Sequence, residues 1–124
     1  MLTLPLLTTV TVGNHLLTAA EQAAGAPQRP PFMDEAGDPV DPDTVRIWLT
    51  DPDKVIRSFR YPEAGPTDVG VCERQEEGRF FVQWTPTDPG DGLWQWKLEG
   101  SMTLGSGWSD KGVFCVQRDD PPAP

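Results

Sequence analysis

Few residues in this chain have the types and spacing that chemistry needs. A catalytic site takes a nucleophile beside a base, a pair of tuned carboxylates, or a metal. The single histidine, His15, adjoins Leu16 and Leu17, and a lone His in that setting reads as a surface or satisfied side chain rather than a general base. Cys72 and Cys115, the only cysteines, form no zinc spacing with one distant His. They could form a disulfide, but Val71, Phe114 and Val116 beside them favour two buried thiols. No phosphate loop or serine elbow is present. The sequence therefore predicts no enzyme, no catalytic residue and no cofactor.

Two other constellations merit weighing. Asp34, Glu35, Asp38, Asp41 and Asp43 crowd one stretch, with Asp51 and Asp53 following. Calcium takes about six to eight oxygen ligands, and loops at sandwich ends can supply them. The spacing matches no EF-hand, however, and Asp-Pro pairs are what turns use; solvated turns are the favoured reading. The second constellation is aromatic. If Val45, Ile47 and Leu49 face a core, then Arg46 and Trp48 face outward, and Phe81 likewise turns away from Phe80, Val82 and Trp84. A large apolar side chain on an outer face marks an interface, or a spot covered by another part of the chain.

The element that positions these residues runs from Asp41 to Tyr61. Alternation over Thr44–Thr50 is that of a half-buried strand. Asp-Pro-Asp triplets bracket it as turns, and the chain returns through Val55, Phe59 and Tyr61. Further strands are expected at 69–74, 79–85, 93–99 and 113–118, with Gln75-Glu76-Glu77-Gly78 turning a second hairpin. Residues 100–112 read as a glycine-spaced loop or short strand holding Trp108. Ile47, Leu49, Val82, Trp84, Phe114 and one of Trp94 or Trp96 are the expected core. Short strands at roughly ten-residue spacing predict an all-β, immunoglobulin-like sandwich of about seven strands.

The preceding stretch is harder to place. Thr8–Val12 is its best candidate for extended structure by composition, and His15–Ala24 has helical residues with Gly25 as a C-cap. Asn14–Ala20 could also be an edge strand, the alternative that the family resemblance given below favours. Prolines in Ala26–Pro31 exclude regular structure there. The expected division is an arm, first strand and Pro-rich loop over 1–33, the sandwich over 34–118, and a mobile tail over 119–124.

Composition narrows the partners. Fourteen Pro and twelve Gly suit strands and turns rather than a bundle. A net charge of −9 argues against nucleic acid and anionic membrane, both of which reward basic patches. No Lys or Arg precedes Arg29, so MLTLPLLTTVTVG lacks the charged start of a signal peptide. Synthesis in the cytoplasm is expected.

GDPVDPDTVRIWLTDPD, then Phe59 and Tyr61, then EGRFFVQWTPTDPGDGLWQWKLEG and KGVFCV resemble the small immunoglobulin-like structural proteins of tailed bacteriophages. The likeness covers about residues 34–118. Lys54 stands where that pattern has a turn glycine, implying a different turn, and Gln22–Met33 resembles an insertion. The resemblance implies a virion protein at the head–tail interface, a connector or head-closure subunit, or one decorating the capsid. Its partners would be portal or adaptor, capsid or tail subunits and further copies of itself. Leu2, Leu4, Leu6, Leu7, Leu16, Leu17 and Phe32 are too apolar for a solvated tail. Leu4, Leu6, Leu7, Leu16, Leu17 and Phe32, with Arg46, Trp48 and Phe81, are the expected contact residues, residues 1–33 lying outside the core as an arm. The competing function is a soluble carbohydrate-binding module with Trp as platform.

Overall fold

The computed structural model describes residues 2–87, 90–103, 105 and 107–117. The strands among them are β1 (Leu2–Pro5), β2 (Val10–Gly13), β3 (Thr44–Thr50), β4 (Ile56–Tyr61), β5 (Gly70–Val71), β6 (Glu73–Glu76), β7 (Arg79–Trp84), β8 (Gly92–Ser101) and β9 (Gly107–Gln117). One short helix, α1 (Ala19–Ala23), lies between β2 and β3. A six-stranded sheet ordered β1-β9-β8-β3-β4-β5 packs on a three-stranded sheet ordered β2-β7-β6. The chain is therefore an all-β sandwich. Arg118 and the expected tail, 119–124, lie outside the described residues.

The alternation in β3 decides which face is the core. Val45, Ile47 and Leu49 are fully buried, and Ile47 is registered between Phe59 of β4 and Leu98 of β8. Each such side chain removed from water contributes about 1.5–3 kcal/mol. Trp94 and Phe114, neighbours across β8 and β9, stack at 5.9 Å with an 11° interplanar angle. Val82 and Phe80 close the core from the small sheet. Trp84 and Trp96 are only half-buried, packed at its margin. At the β3–β4 turn Asp51 Oδ1 accepts from the N–H groups of Asp53 and Val55, both at 2.9 Å. Lys54 adopts φ +70°, the left-handed conformation in which glycine is easiest.

Two expected elements differ. The strand expected over 69–74 is split, because the chain changes sheets at buried Cys72: β5 pairs parallel with β4, whereas β6 pairs antiparallel with β7. The stretch 100–112 is mostly strand, since β8 and β9 continue as a long antiparallel pair from Gly92↔Val116 to Ser101↔Gly107. Glycine at 112 belongs there because the Trp96 ring lies across it; an added Cβ would sit 2.6 Å from that ring.

The beginning of the chain requires the main correction. Residues 1–33 are not an arm outside the core. β1 runs parallel to β9 and β2 antiparallel to β7, with Val10 and Val12 buried. Phe32 is 4% exposed, its N–H bonded to the Gly78 carbonyl at 2.8 Å and its ring against Phe80 and Trp108. Proline bars a ladder from this stretch but not packing: Phe32 is buried and Leu4 and Leu6 pack against the core, while Leu7 and Leu16 stay exposed. The preferred edge strand over Asn14–Ala20 is also absent. Asn14 ends β2 by placing its own Oδ1 on the Phe80 N–H at 2.8 Å. A capping box between Thr18 and Glu21 then starts α1, and Gly25 at φ +79° follows its end.

The turn joining β1 to β2 is strained. Thr8 N–H bonds back to the Pro5 carbonyl at 3.3 Å, and Leu7, 65% exposed, takes φ +69°. The left-handed region costs an ordinary L-residue about 1–2 kcal/mol.

Candidate functional site

The outer face of the six-stranded sheet carries the most distinctive surface chemistry. Register places Trp48 beside Lys97 of β8 and Ser58 of β4, Arg46 beside Arg60, and Lys97 beside Lys111 of β9. Arg46 lies over the Trp48 ring, its guanidinium carbon 4.6 Å from the centroid, and the Lys97 ammonium approaches to 5.4 Å. An indole face attracts cations electrostatically, so Trp48 is held half-buried between two of them. Ile56 (64% exposed), Val113 and Leu93 add apolar surface to the same sheet. A hollow of about 730 Å³ is lined by Trp48, Ile56, Gln95, Trp96, Lys97 and Lys111, among others. On a chain of net charge −9 this face is locally basic and aromatic.

One buried carboxylate organises its upper part. The loop after β4 folds back and sets Asp68, fully buried, beneath Arg46 and Arg60 at 3.4 and 3.3 Å. The Ser58 hydroxyl donates to Asp68 at 2.6 Å and the Gly65 N–H at 2.7 Å. The Ser58 hydrogen bond first, then Gly65 and the two guanidiniums, hold the Asp68 carboxyl below its ordinary range. Two like charges are thereby kept side by side on adjacent strands.

A second concavity, about 380 Å³, separates β2 and the 15–29 segment from β9. His15 lines it, 6% exposed, with Nε2 2.8 Å from the Glu21 carboxylate. Arg29 lies over the Trp96 ring at 5.1 Å and bonds Asp110 at 2.8 Å. His15 is thus a buried, paired side chain rather than a surface one.

Among the acidic residues at 34–53, Asp34, Asp41, Asp43 and Asp51 serve turns and surface pairs. Asp34 Oδ1 accepts from the N–H groups of Ala36 and Asp38 at 3.0 Å; Asp41 pairs with Arg74 at 2.9 Å and accepts from the Gly78 N–H. Asp43 accepts from the backbone N–H and hydroxyl of Thr103, in that order the causes that lower its pKa. Among the described residues no three acidic, His or Cys side chains converge on a metal-sized point.

The expected contact residues are dispersed. Arg46 and Trp48 stand on the outer face together, as alternation requires. Phe81 does face away from the core, but the His15 ring covers it edge-on at 6.4 Å. Leu4 and Leu6 pack against the core, Phe32 is inside it, Leu17 lines the smaller concavity, and Leu7 and Leu16 are exposed. Sequence reasoning missed Arg60, Asp68, Lys97 and Lys111. Arg60 was readable as an even-spaced partner in the hairpin; the others depend on pairings that no local signal specifies.

Compared with known proteins, the chain matches no family model, no curated sequence and no solved structure. Among the described residues no helix is long and apolar enough to cross a membrane.

Proposed function

We propose that this chain is a non-enzymatic structural subunit of a tailed-phage particle, at the head–tail interface or on the capsid. It acts by docking the outer face of the six-stranded sheet onto another virion subunit. The observation carrying this reading is Trp48, poised between Arg46 and Lys97 with Ile56 and Val113 exposed nearby. Aromatic and Arg side chains are the usual anchors of protein interfaces. Strand order adds support. β2-β7-β6 and β9-β8-β3-β4 correspond to the B-E-D and G-F-C-C′ sheets of immunoglobulin variable-type sandwiches, in keeping with the phage-like pattern over 34–118.

The test is association of the purified chain with portal, capsid and tail subunits, read by native mass spectrometry. Trp48→Ala should abolish one of these complexes while leaving the melting temperature nearly unchanged. Full binding by Trp48→Ala would overturn the assignment of this face.

A second reading has its own observation. Trp48 lines a hollow with Gln95, Lys97 and Lys111, which would give a sugar both a stacking surface and polar partners. Glycan binding by the monomer, lost on Trp48→Ala, would favour it.

A further inference from the structure

The strand β1 combines three properties that matter together. It touches the rest of the fold chiefly through one neighbour, pairing parallel with β9 from Leu2↔Phe114 to Pro5↔Gln117. It passes to the opposite sheet through a connection of four residues, Leu6–Thr9, because β2 belongs with β7. And that connection holds Leu7 at φ +69°, a conformation that favours glycine.

We infer that β1 is exchangeable between copies of this chain, each β1 adding to the β9 edge of a second copy. Exchange rebuilds every β1–β9 contact in the partner, including the Leu6 N–H bond to the Gln117 carbonyl. What it forfeits is the tight turn, whose Thr8–Pro5 bond is long at 3.3 Å, and the Leu7 N–H bond to Pro86. Leu7 is exposed, so water can take over that N–H. What it gains is an extended connection in which Leu7 returns to negative φ. A short strained hinge that can relax by opening is the physical condition for strand exchange. The resulting contact is isologous, since each copy both gives and receives the same strand.

The register supplies a direct assay. Thr3 and Cys115 are parallel neighbours on the same face. A Thr3→Cys chain should therefore close an internal disulfide between position 3 and Cys115 on mild air oxidation. For exchange, an isotope-labelled Thr3→Cys/Cys115→Ser chain is refolded together with the wild-type chain. Neither can close this bond internally, so a labelled–unlabelled disulfide linking residues 3 and 115 in excess of random coupling reports an exchanged strand. A Glu77→Cys/Cys115→Ser chain, with its thiol in the β6–β7 turn, sets the background of random coupling.

The expected result is coupling well above that background, in a species of dimeric mass by light scattering. Leu7→Gly, which relieves the strain in the closed turn, should lower dimerisation by roughly 5–30-fold per hinge, and Leu7→Pro, which forbids positive φ, should raise it. Coupling at background level, while Thr3→Cys alone closes its internal disulfide, overturns the inference. Failure of Thr3→Cys to close or to couple overturns it too, because β1 would not lie on β9. Neither failure bears on the outer-face reading, which Trp48→Ala tests separately.

Discussion

Asn14 should be among the most costly single polar side chains to remove. It is 2% exposed and closes three hydrogen bonds: its Oδ1 accepts from the Phe80 N–H at 2.8 Å, and its Nδ2 donates to the Gly78 and Pro30 carbonyls at 2.9 and 3.2 Å. It thereby fastens the end of β2 to β7, to the β6–β7 turn and to the proline-rich segment. In Asn14→Ala the Gly78 carbonyl keeps the Phe32 N–H, and Pro30 is exposed enough to find water. The Phe80 N–H is left buried without a partner. One orphaned buried donor plus weakened bonds cost about 2–4 kcal/mol. For 124 residues an unfolding entropy of roughly 0.26 kcal/mol/K converts this to a melting temperature lower by about 8–15 °C. Differential scanning calorimetry at neutral pH measures it. Asn14→Asp keeps the acceptor but aims a carboxylate at two carbonyls. Its folded-state pKa is thereby raised, so its stability should improve as the pH falls and worsen as it rises through that value. A shift under about 2 °C for Asn14→Ala would refute the reasoning, because a buried unpaired N–H cannot be that cheap.

Removing residues 1–12 should abolish cooperative unfolding rather than spare it, because buried Val10 and Val12 and the β2–β7 ladder go with the segment; a normal calorimetric transition would contradict the assignment of β2 to the core. Asp68→Asn should cost about 1–3 kcal/mol at neutral pH, at the lower end because both arginines are about a third exposed. The Asp68 carboxyl is held below 3.8, so its contribution is complete above that value and is lost as pH falls through the folded one. The difference between wild type and variant should therefore shrink on acidification, and a constant gap down to the acid transition would count against it. Burial pushes the Cys72 thiol up to about 12, while Cys115 is half-exposed and both are free. Iodoacetamide on the folded chain should label Cys115 alone, with Cys72 following only on unfolding; equal labelling rates, read by mass spectrometry, would disprove this.

What the sequence determined by itself is the part written in local alternation. β3 has its expected bounds because Thr44–Thr50 alternates without interruption, and β4 and β7 follow within a residue or so. The same alternation placed Arg46 and Trp48 outside, where they are. Turn chemistry marked Asp51 and Gly78 for the same reason, since each acts on its nearest neighbours. Long-range competition decided the rest. Val10, Val12 and Phe32 could be an arm or a core by composition, and only the apolar faces of β7 and β9 made them core. Residues 107–112 look like a loop until β8 offers them a ladder. Asp68 is one of many acidic residues until the chain folds back and sets it under Arg46 and Arg60. A side chain's face follows from its neighbours along the strand, but its partner across the sheet is chosen by the whole fold.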